Sequence, residues 1–452
     1  MNVIVVGCGK IGTTVVQSLV SEGHDLVVID NDPNIVSEIT NIYDVMGVSG
    51  NGADCETLEE AGVEKTELFV AVTGSDELNM LSCFIAKKMG ANHTIARIRN
   101  PEYNAHSLGF MRQQLDLSMS INPEFMTAKE LFNILKFPSA VKIEPFSHRN
   151  FEMVEIRLKS NSALVGLKLC ELREKYDSKV LICAVQRGDK VYIPDGSFEL
   201  NVGDKIGITA TPIEITKFLK KLNILQKQAR NIMILGASRT TYYLAKMLTA
   251  AGNSVKIIEK DKKRCAEFSE ILPSSTVISG DGAQQELLLE EGIESMDAFV
   301  ALTGIDEENI LISFYAASKN VPKVISKVNR DELASIADGL GLECIVSPKN
   351  IISDIFVRYA RALRNSMGSN VETLYKLMDG KAEALEFNVG SDFKKVQVPF
   401  KELQLKPNIL IAGIIRNRKP IIPTGDDMIL SGDKVIVLAA GQRLQDLSDI
   451  IK

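Results

Sequence analysis

The sequence predicts an α/β protein built of two tandem doubly wound parallel-sheet domains, each followed by a small α+β domain. Three observations carry this. Short, continuously apolar segments alternate with helical patterns, as expected of parallel strands buried on both faces. The first of these segments closes on a glycine-rich turn, GCGKIG, at Gly7–Gly12. The whole arrangement then returns half a chain later, beginning MILGASRTTYYLAKMLTAAG. Gly7 aligns with Gly236 and Asp30 with Glu259 at the same offset. SGNGAD from Ser49 matches SGDGAQ from Ser279, and FVAVTGSDELN from Phe69 matches FVALTGIDEEN from Phe299, one residue further on. Copies of this length mark structurally equivalent units.

The elements follow in order. VIVVG is the first strand, and Val15, Val16, Leu19 and Val20 give the next segment a helical apolar face. In the turn between them Gly7 permits a tight bend, Gly9 lets backbone approach a pyrophosphate, and Gly12 allows close helix–strand packing. The free amides and dipole of the helix start suit a phosphate. The second strand, DLVVID, ends in Asp30, where a carboxylate can accept from ribose hydroxyls and would repel a 2′-phosphate. DVMGVSG, LFVAVTG and HTIARIRN supply three further strands, with SDELNMLSCFIAKKMG a helix between the last two. Asp76 and Asn79 open that helix, where they suit capping or ligand contact. A helical connector, INPEFMTAKELFNILKF, follows.

From about Phe151 the pattern changes to short alternating strands, VLICAVQRG, KVYIPDG and DKIGITA, with turns at RGDK and PDG and a closing helix, IEITKFLKKL. Lys220 to Arg230 reads as a charged tether. The expected division is a nucleotide-binding domain at 1–120, a connector at 121–150 and a small domain at 151–225. The second copy repeats it at 230–347, 348–375 and 376–452.

Composition excludes several classes. The chain of 452 residues has a net charge of −6, which disfavours nucleic acid as a partner. It contains no apolar run long enough to span a bilayer, and its seven scattered cysteines read as reduced thiols without metal-ligand spacing. Cys8, although in the phosphate turn, reads as a small packing residue. The four histidines, His24, His93, His106 and His148, all lie in the first third, with His24 and His148 read as solvated surface. None has a convincing acid–base setting for hydride-transfer chemistry. An NAD-dependent oxidoreductase is therefore the rival reading, and no catalytic residue is assigned.

GCGKIG, VVID, GNGAD, AVTGSDELN and ARIR, followed by the small hairpin domain and then the duplicate, resemble the TrkA family of bacterial Trk-type potassium-uptake regulators. The resemblance covers essentially the whole chain. It implies Rossmann-like KTN/RCK N-domains alternating with RCK C-type domains, in a cytoplasmic protein peripheral to the membrane. It also implies regulatory binding of NAD(H) or ATP/ADP without catalysis. The implied assembly is a dimer or tetrameric ring gating a separate integral-membrane potassium translocator of the TrkH, TrkG or KtrB kind. Some relatives use the RCK C-domains for cyclic di-AMP, which makes ILIAGIIRN, with Arg416 and Asn417, an alternative ligand floor.

Carried onto this sequence, the resemblance places Gly7, Cys8, Gly9, Lys10, Ile11 and Gly12 around the diphosphate and Asp30 on the ribose. Asn51 and Gly52 flank the adenine, and Thr73 and Gly74 lie at the carboxyl edge of the sheet. Arg97 is placed for a phosphate or a partner carboxylate, a surface salt bridge being its alternative. The second copy supplies Gly236, Ala237, Ser238, Arg239, Thr240, Glu259, Asp281, Thr303 and Lys327. It departs from the pattern, with Ser238 and Thr241 in place of the second and third glycines. A Cβ at Ser238 crowds a diphosphate, so this site is expected to be degenerate.

Overall fold

The computed structural model describes residues 1–103, 105–146, 150–225, 228–365, 371–378, 380–390, 393, 395–444 and 446–452. Two residues of the predicted tether, 226 and 227, lie outside them. The first sheet comprises β1 (Asn2–Val6), β2 (Asp25–Asp30), β3 (Met46–Ser49), β4 (Leu68–Ala71), β5 (His93–Arg97) and β6 (Met119–Ile121). All pairs are parallel, in the order β3-β2-β1-β4-β5-β6. This order reverses direction at β1, and the crevice at that switch point is where such sheets take ligands. The sixth strand is one more than the sequence pattern revealed, because MSI is too short to carry a period. The central strands are apolar for the expected reason: every residue of β4, and all but the first of β1, is buried.

Helices α1 (Lys10–Ser21), α2 (Pro33–Ile42), α3 (Cys55–Glu60), α4 (Asp76–Lys88) and α5 (Ala105–Gln114) connect these strands. Then comes α6 (Pro123–Lys136), which starts on an Asn122 cap with Pro123 in its first turn. The predicted connector also holds a strand, β7 (Lys142–Pro145), which pairs with β8 (Glu152–Arg157). The small domain continues through α7 (Leu169–Tyr176), β9 (Leu181–Arg187), β10 (Lys190–Tyr192), β11 (Lys205–Ala210) and α8 (Pro212–Lys221). Its five antiparallel strands run β10-β9-β11-β8-β7.

The second half repeats this plan. Strands β12 (Asn231–Leu235), β13 (Ser254–Glu259), β14 (Thr276–Ser279), β15 (Ala298–Ala301), β16 (Lys323–Lys327) and β17 (Ile345–Val346) form a parallel sheet of the same order. Its helices are α9 (Arg239–Ala250), α10 (Lys262–Ile271), α11 (Gln285–Glu290), α12 (Asp306–Ser318), α13 (Asp331–Gly339) and α14 (Pro348–Asn365). Strands β18 (Val371–Leu377), β19 (Ala382–Asn388), β20 (Ile409–Arg416), β21 (Lys419–Ile421) and β22 (Lys434–Ala440) make the second small sheet. Among the described residues no helix is long and apolar enough to cross a membrane.

The halves are interlocked. The apolar face of α1 is covered by α14 of the other half, where Ile352, Phe356 and Ala360 join Val15, Val16 and Leu19 in one core. Reciprocally, Ala128, Leu131, Ile134 and Leu135 of α6 pack with Leu244, Ala245 and Leu248 of α9. The buried hydroxyls of Ser18 and Ser353 share a 2.7 Å hydrogen bond across the first of these seams. Arg361 on α14 is bidentate to Glu22, just past α1 (2.7 and 2.9 Å), and to Glu383 on β19 (both 3.0 Å). The two small sheets also share a core, in which Phe151 lies where a side chain on Gly413 would sit, and the backbone N–H of Met378 donates to buried Glu155.

Where α6 and α14 meet the small domains, charges are packed together. Lys142 pairs with Glu144 at 2.8 Å and donates to the Lys376 carbonyl, while Lys376 approaches Asp354 at 3.8 Å. Glu130 on α6 faces this group. Burial, then the nearby Glu144, push its carboxyl up to about 7, against the opposing pull of Lys142 and Arg358. Burial likewise raises the Asp354 carboxyl. A carboxyl whose pKa is higher folded than unfolded favours folding when protonated, and that contribution is lost as pH rises from the ordinary carboxylate range through about 7. Glu130→Gln is therefore expected to raise the melting temperature at about pH 8 and to lose that advantage near pH 4. Melting curves across this range check the sign.

Candidate functional site

A cleft of roughly 870 Å³ opens at the carboxyl edge of the first parallel sheet, at its switch point. Its floor is the glycine turn. Gly7 has a φ of +90° and lies against the Thr73 backbone, so a side chain there would be strained and crowded. A Cβ on Gly12 would collide with the Gly7 carbonyl, and one on Gly52 with the Val6 side chain. Gly9 is different: a Cβ there meets no protein atom within 4 Å. The packing of the chain does not require that glycine, and the space above it is open cleft. Gly9 also leaves α1 without a side-chain cap, so the helix's first amides face the cleft uncapped.

Asp30 lines the same cleft. Its two oxygens accept from the backbone N–H of Cys8 (2.7 Å) and of Asp32 (3.0 Å), which fixes the carboxylate against the turn. A carboxylate has about four acceptor positions, so it retains capacity for ribose hydroxyls. Lys10, Ile11, Asn51, Gly52, Thr73, Gly74 and Arg97 also line the cleft. Cys8 does not: its thiol is buried in the core, where burial and then Asp30 push its pKa up to about 12. It stays a protonated packing residue, as read from the sequence.

Arg97 sits at the end of β5, with Glu124 of α6 at 3.6 Å and its Nε buried without a partner. Burial, and then the nearby Arg99, pull its pKa below the ordinary value. A guanidinium does not deprotonate in a protein, so this shift measures an incompletely compensated cation.

Asp76 and Asn79 prove not to cap α4. Ser75 does so, accepting from the Leu78 amide. Asn79 is fully buried and clasps two strand ends, accepting from Thr73 N–H (2.8 Å) and donating to the Arg97 carbonyl (2.9 Å). Asp76 accepts from the amides of Arg99 and Asn100, both at 2.8 Å. Both side chains shape the cleft wall through backbone contacts. His24 is also a correction. It is only 7% exposed, with both ring nitrogens unpartnered, and burial, then the chain's amino terminus, lower its pKa. Its polar neighbours in sequence concealed that burial. Among the described residues no histidine lines the cleft, and Asp30 is its only carboxylate. The His106 side chain and His148 lie outside the described residues.

The second turn is built differently. Ser238 caps α9, accepting from the Thr241 amide at 3.2 Å, and the Thr241 hydroxyl donates to the Gly236 carbonyl at 2.6 Å. The start of α9 is thus capped by a side chain, where that of α1 is not. Glu259 repeats the role of Asp30, accepting from Ala237 (2.7 Å) and Asp261 (2.9 Å), but is more buried, at 7% exposure. Asp281 accepts from the Ala283 amide, and Thr303 repeats the Thr73 clasp through Asn309. Lys327 reaches toward the Leu302 carbonyl at 3.5 Å, with burial lowering its pKa. Arg239 is exposed, while Thr240 is buried. In the small domain, Arg416 is committed to buried Asp433 (2.9 and 2.8 Å) and the Met428 carbonyl, which leaves its guanidinium little to offer a cyclic dinucleotide.

Several cleft residues went unread in the sequence, among them Asn31, Ser75 and Leu78 nearby and, from the second half, Asn329, Pro348 and Lys349. Pro348 signals a helix start, but no local pattern shows that this helix packs across the molecule.

Comparison with known proteins follows the same division. The TrkA-N domain family matches residues 3–113 and 232–348, and the TrkA-C domain family matches 153–223 and 385–452. The chain is 30% identical to the Trk system potassium uptake protein TrkA homolog 1 of Methanosarcina mazei, with all of both chains covered. It is 28% identical to the Trk system potassium uptake protein TrkA of Haemophilus influenzae, covering 98% of this chain and 96% of that one. Among solved structures, a GsuK channel bound to NAD superposes with a TM-score of 0.62 at 14% identity, over 97% of this chain and 77% of that one. This last likeness concerns the fold.

The geometry separates ligand space from packing space. Gly9→Ser should leave the melting temperature unchanged or slightly higher, since a serine cap is worth a few tenths of a kcal/mol over glycine. It should nonetheless reduce adenine-nucleotide affinity at least about tenfold, by filling the phosphate's place. Gly12→Ala should lower both. Thermal melts paired with calorimetric titrations distinguish the two outcomes.

Proposed function

As the chain belongs to the TrkA family of potassium-uptake proteins, we propose that it is the nucleotide-binding regulatory subunit of a Trk-type potassium uptake system. In this reading it works in the cytoplasm, bound peripherally to a separate membrane translocator, as a homo-oligomer. Its ligand is NAD(H) or ATP/ADP, held as a signal and not as a redox cofactor. The observation that carries the reading is the first cleft. An uncapped helix start, an open space above Gly9 and a fixed Asp30 carboxylate converge at the switch point of a parallel sheet. These are the parts that hold an adenosine phosphate, and a general acid is not among them.

Regulation requires the ligand to prefer one arrangement of the molecule, because only differential affinity shifts an equilibrium. The structure offers a route for such a preference. The ligand would sit on the amino-terminal end of α1, while the carboxyl-terminal end is tied by Glu22 and Arg361 to β19 of the second small domain. A change in the tilt of α1 would then be felt there.

Asp30→Ala should weaken adenine-nucleotide binding by about 1–3 kcal/mol, the worth of hydrogen bonds to a charged acceptor. In a strain lacking its own potassium uptake, the variant should support transport that no longer responds to nucleotide level. Potassium flux that keeps its full response would refute the assignment, as would steady NAD(H) turnover by the purified protein.

A further inference from the structure

The start of α14, from the second half, lines the first cleft, and it differs in charge from the equivalent helix start, that of α6, in the first half. The helix reaching the first cleft starts Ser347-Pro348-Lys349, and the one paired with the second half starts Asn122-Pro123-Glu124. Glu124 obeys helix electrostatics, since an anion is favoured in a first turn. Lys349 violates them, placing a cation where the dipole is positive. Sequences break local rules of this kind where a site requires it.

The surroundings of Lys349 show what it serves. It is half-buried in the cleft wall, as is Arg97, and exposed Lys10 lines the same cleft. Other half-buried lysines pair with carboxylates: Lys142 with Glu144, Lys256 with Glu291, Lys376 with Asp354. Among the described residues neither Lys10 nor Lys349 has a side-chain hydrogen bond or ion pair, and Arg97 has only its 3.6 Å approach to Glu124. Against these three cations the described lining of the cleft sets one carboxylate, Asp30, whose oxygens already accept two backbone amides. Packing holds Lys349 there, because Ile352 and Phe356 on the same helix are locked against α1.

We propose that Lys349 is the phosphate-reading residue of the first cleft, a contact from the second half that makes binding favour a nucleoside polyphosphate over a dinucleotide. The inference rests on the nucleotide-sensing function proposed above. A terminal phosphate monoester carries up to about −2 charge, whereas the phosphates of a dinucleotide, with no free end, carry about −1 each. A third cation adds most to the former. In the second copy the equivalent turn carries Ser238 in place of Gly9 and is capped by that hydroxyl.

Calorimetry on the full-length protein with ATP, ADP and NAD tests this, using the wild type, Lys349→Glu and Lys349→Arg. Wild-type affinity should fall in the order ATP, ADP, NAD. Lys349→Glu should lose about tenfold or more for ATP, less for ADP, and stay within about twofold for NAD. Lys349→Arg should keep the wild-type order. The glutamate variant should melt no lower than wild type, because it suits the helix start. Undiminished ATP affinity in Lys349→Glu, or equal losses for all three ligands, overturns the proposal. A wild-type protein that binds none of the three overturns the nucleotide reading itself.

Discussion

Each parallel-sheet domain carries an apolar face that it cannot cover by itself, and this constraint organises the molecule. The face of α1 that carries Val15, Val16 and Leu19 is closed by Phe356 and its neighbours from the far half, and α9 is closed by α6 in the same way. Burying an aromatic side chain of this size contributes about 1.5–3 kcal/mol, so neither sheet domain is complete without the exchange. The exchange also brings α14 to the mouth of the first cleft and seats the small domains against each other. Fold, site and interdomain geometry therefore share one cause.

The site inherits its character from that arrangement. Its described lining combines the backbone of the glycine turn, one fixed carboxylate and cations drawn from both halves. The carboxylates of Asp76 and Asp306 and the amides of Asn79 and Asn309 lie behind the walls in both copies, tying strand ends to the loops beyond. They keep the cleft edges in register whether or not the turn beneath suits a phosphate. The second copy thus retains its framework while its turn is satisfied by Ser238 and Thr241.

Much of this was legible in the sequence, for reasons that lie in particular residues. Strands such as Val3–Val6 and Leu68–Ala71 announce themselves because both their faces are buried. The glycine turn is legible because Gly7 and Gly12 are dictated by sterics that act within one βα unit. What escaped is what depends on distance along the chain. The helical period of α1 showed that Val15 and Leu19 face inward, but not that Ile352 covers them. Asp76 and Asn79 stood at a helix start and suggested caps, although their partners are backbone groups some twenty residues away. His24 looked exposed because polar residues flank it, while the depth of its burial comes from packing that no local pattern encodes.

The reciprocal helix exchange also bears on how the two halves came to differ. A single half with exposed α1 and α6 faces would have had to pair with a copy of itself, and in such a pair every substitution appears twice. Joining the copies in one chain removes that symmetry requirement. Glu124 and Lys349, at equivalent helix starts, could then take opposite charges, and Gly9 and Ser238 opposite fates, without either change being mirrored. The fused chain is in effect a pair of copies released from a common twofold axis, with an open turn in one and a capped turn in the other.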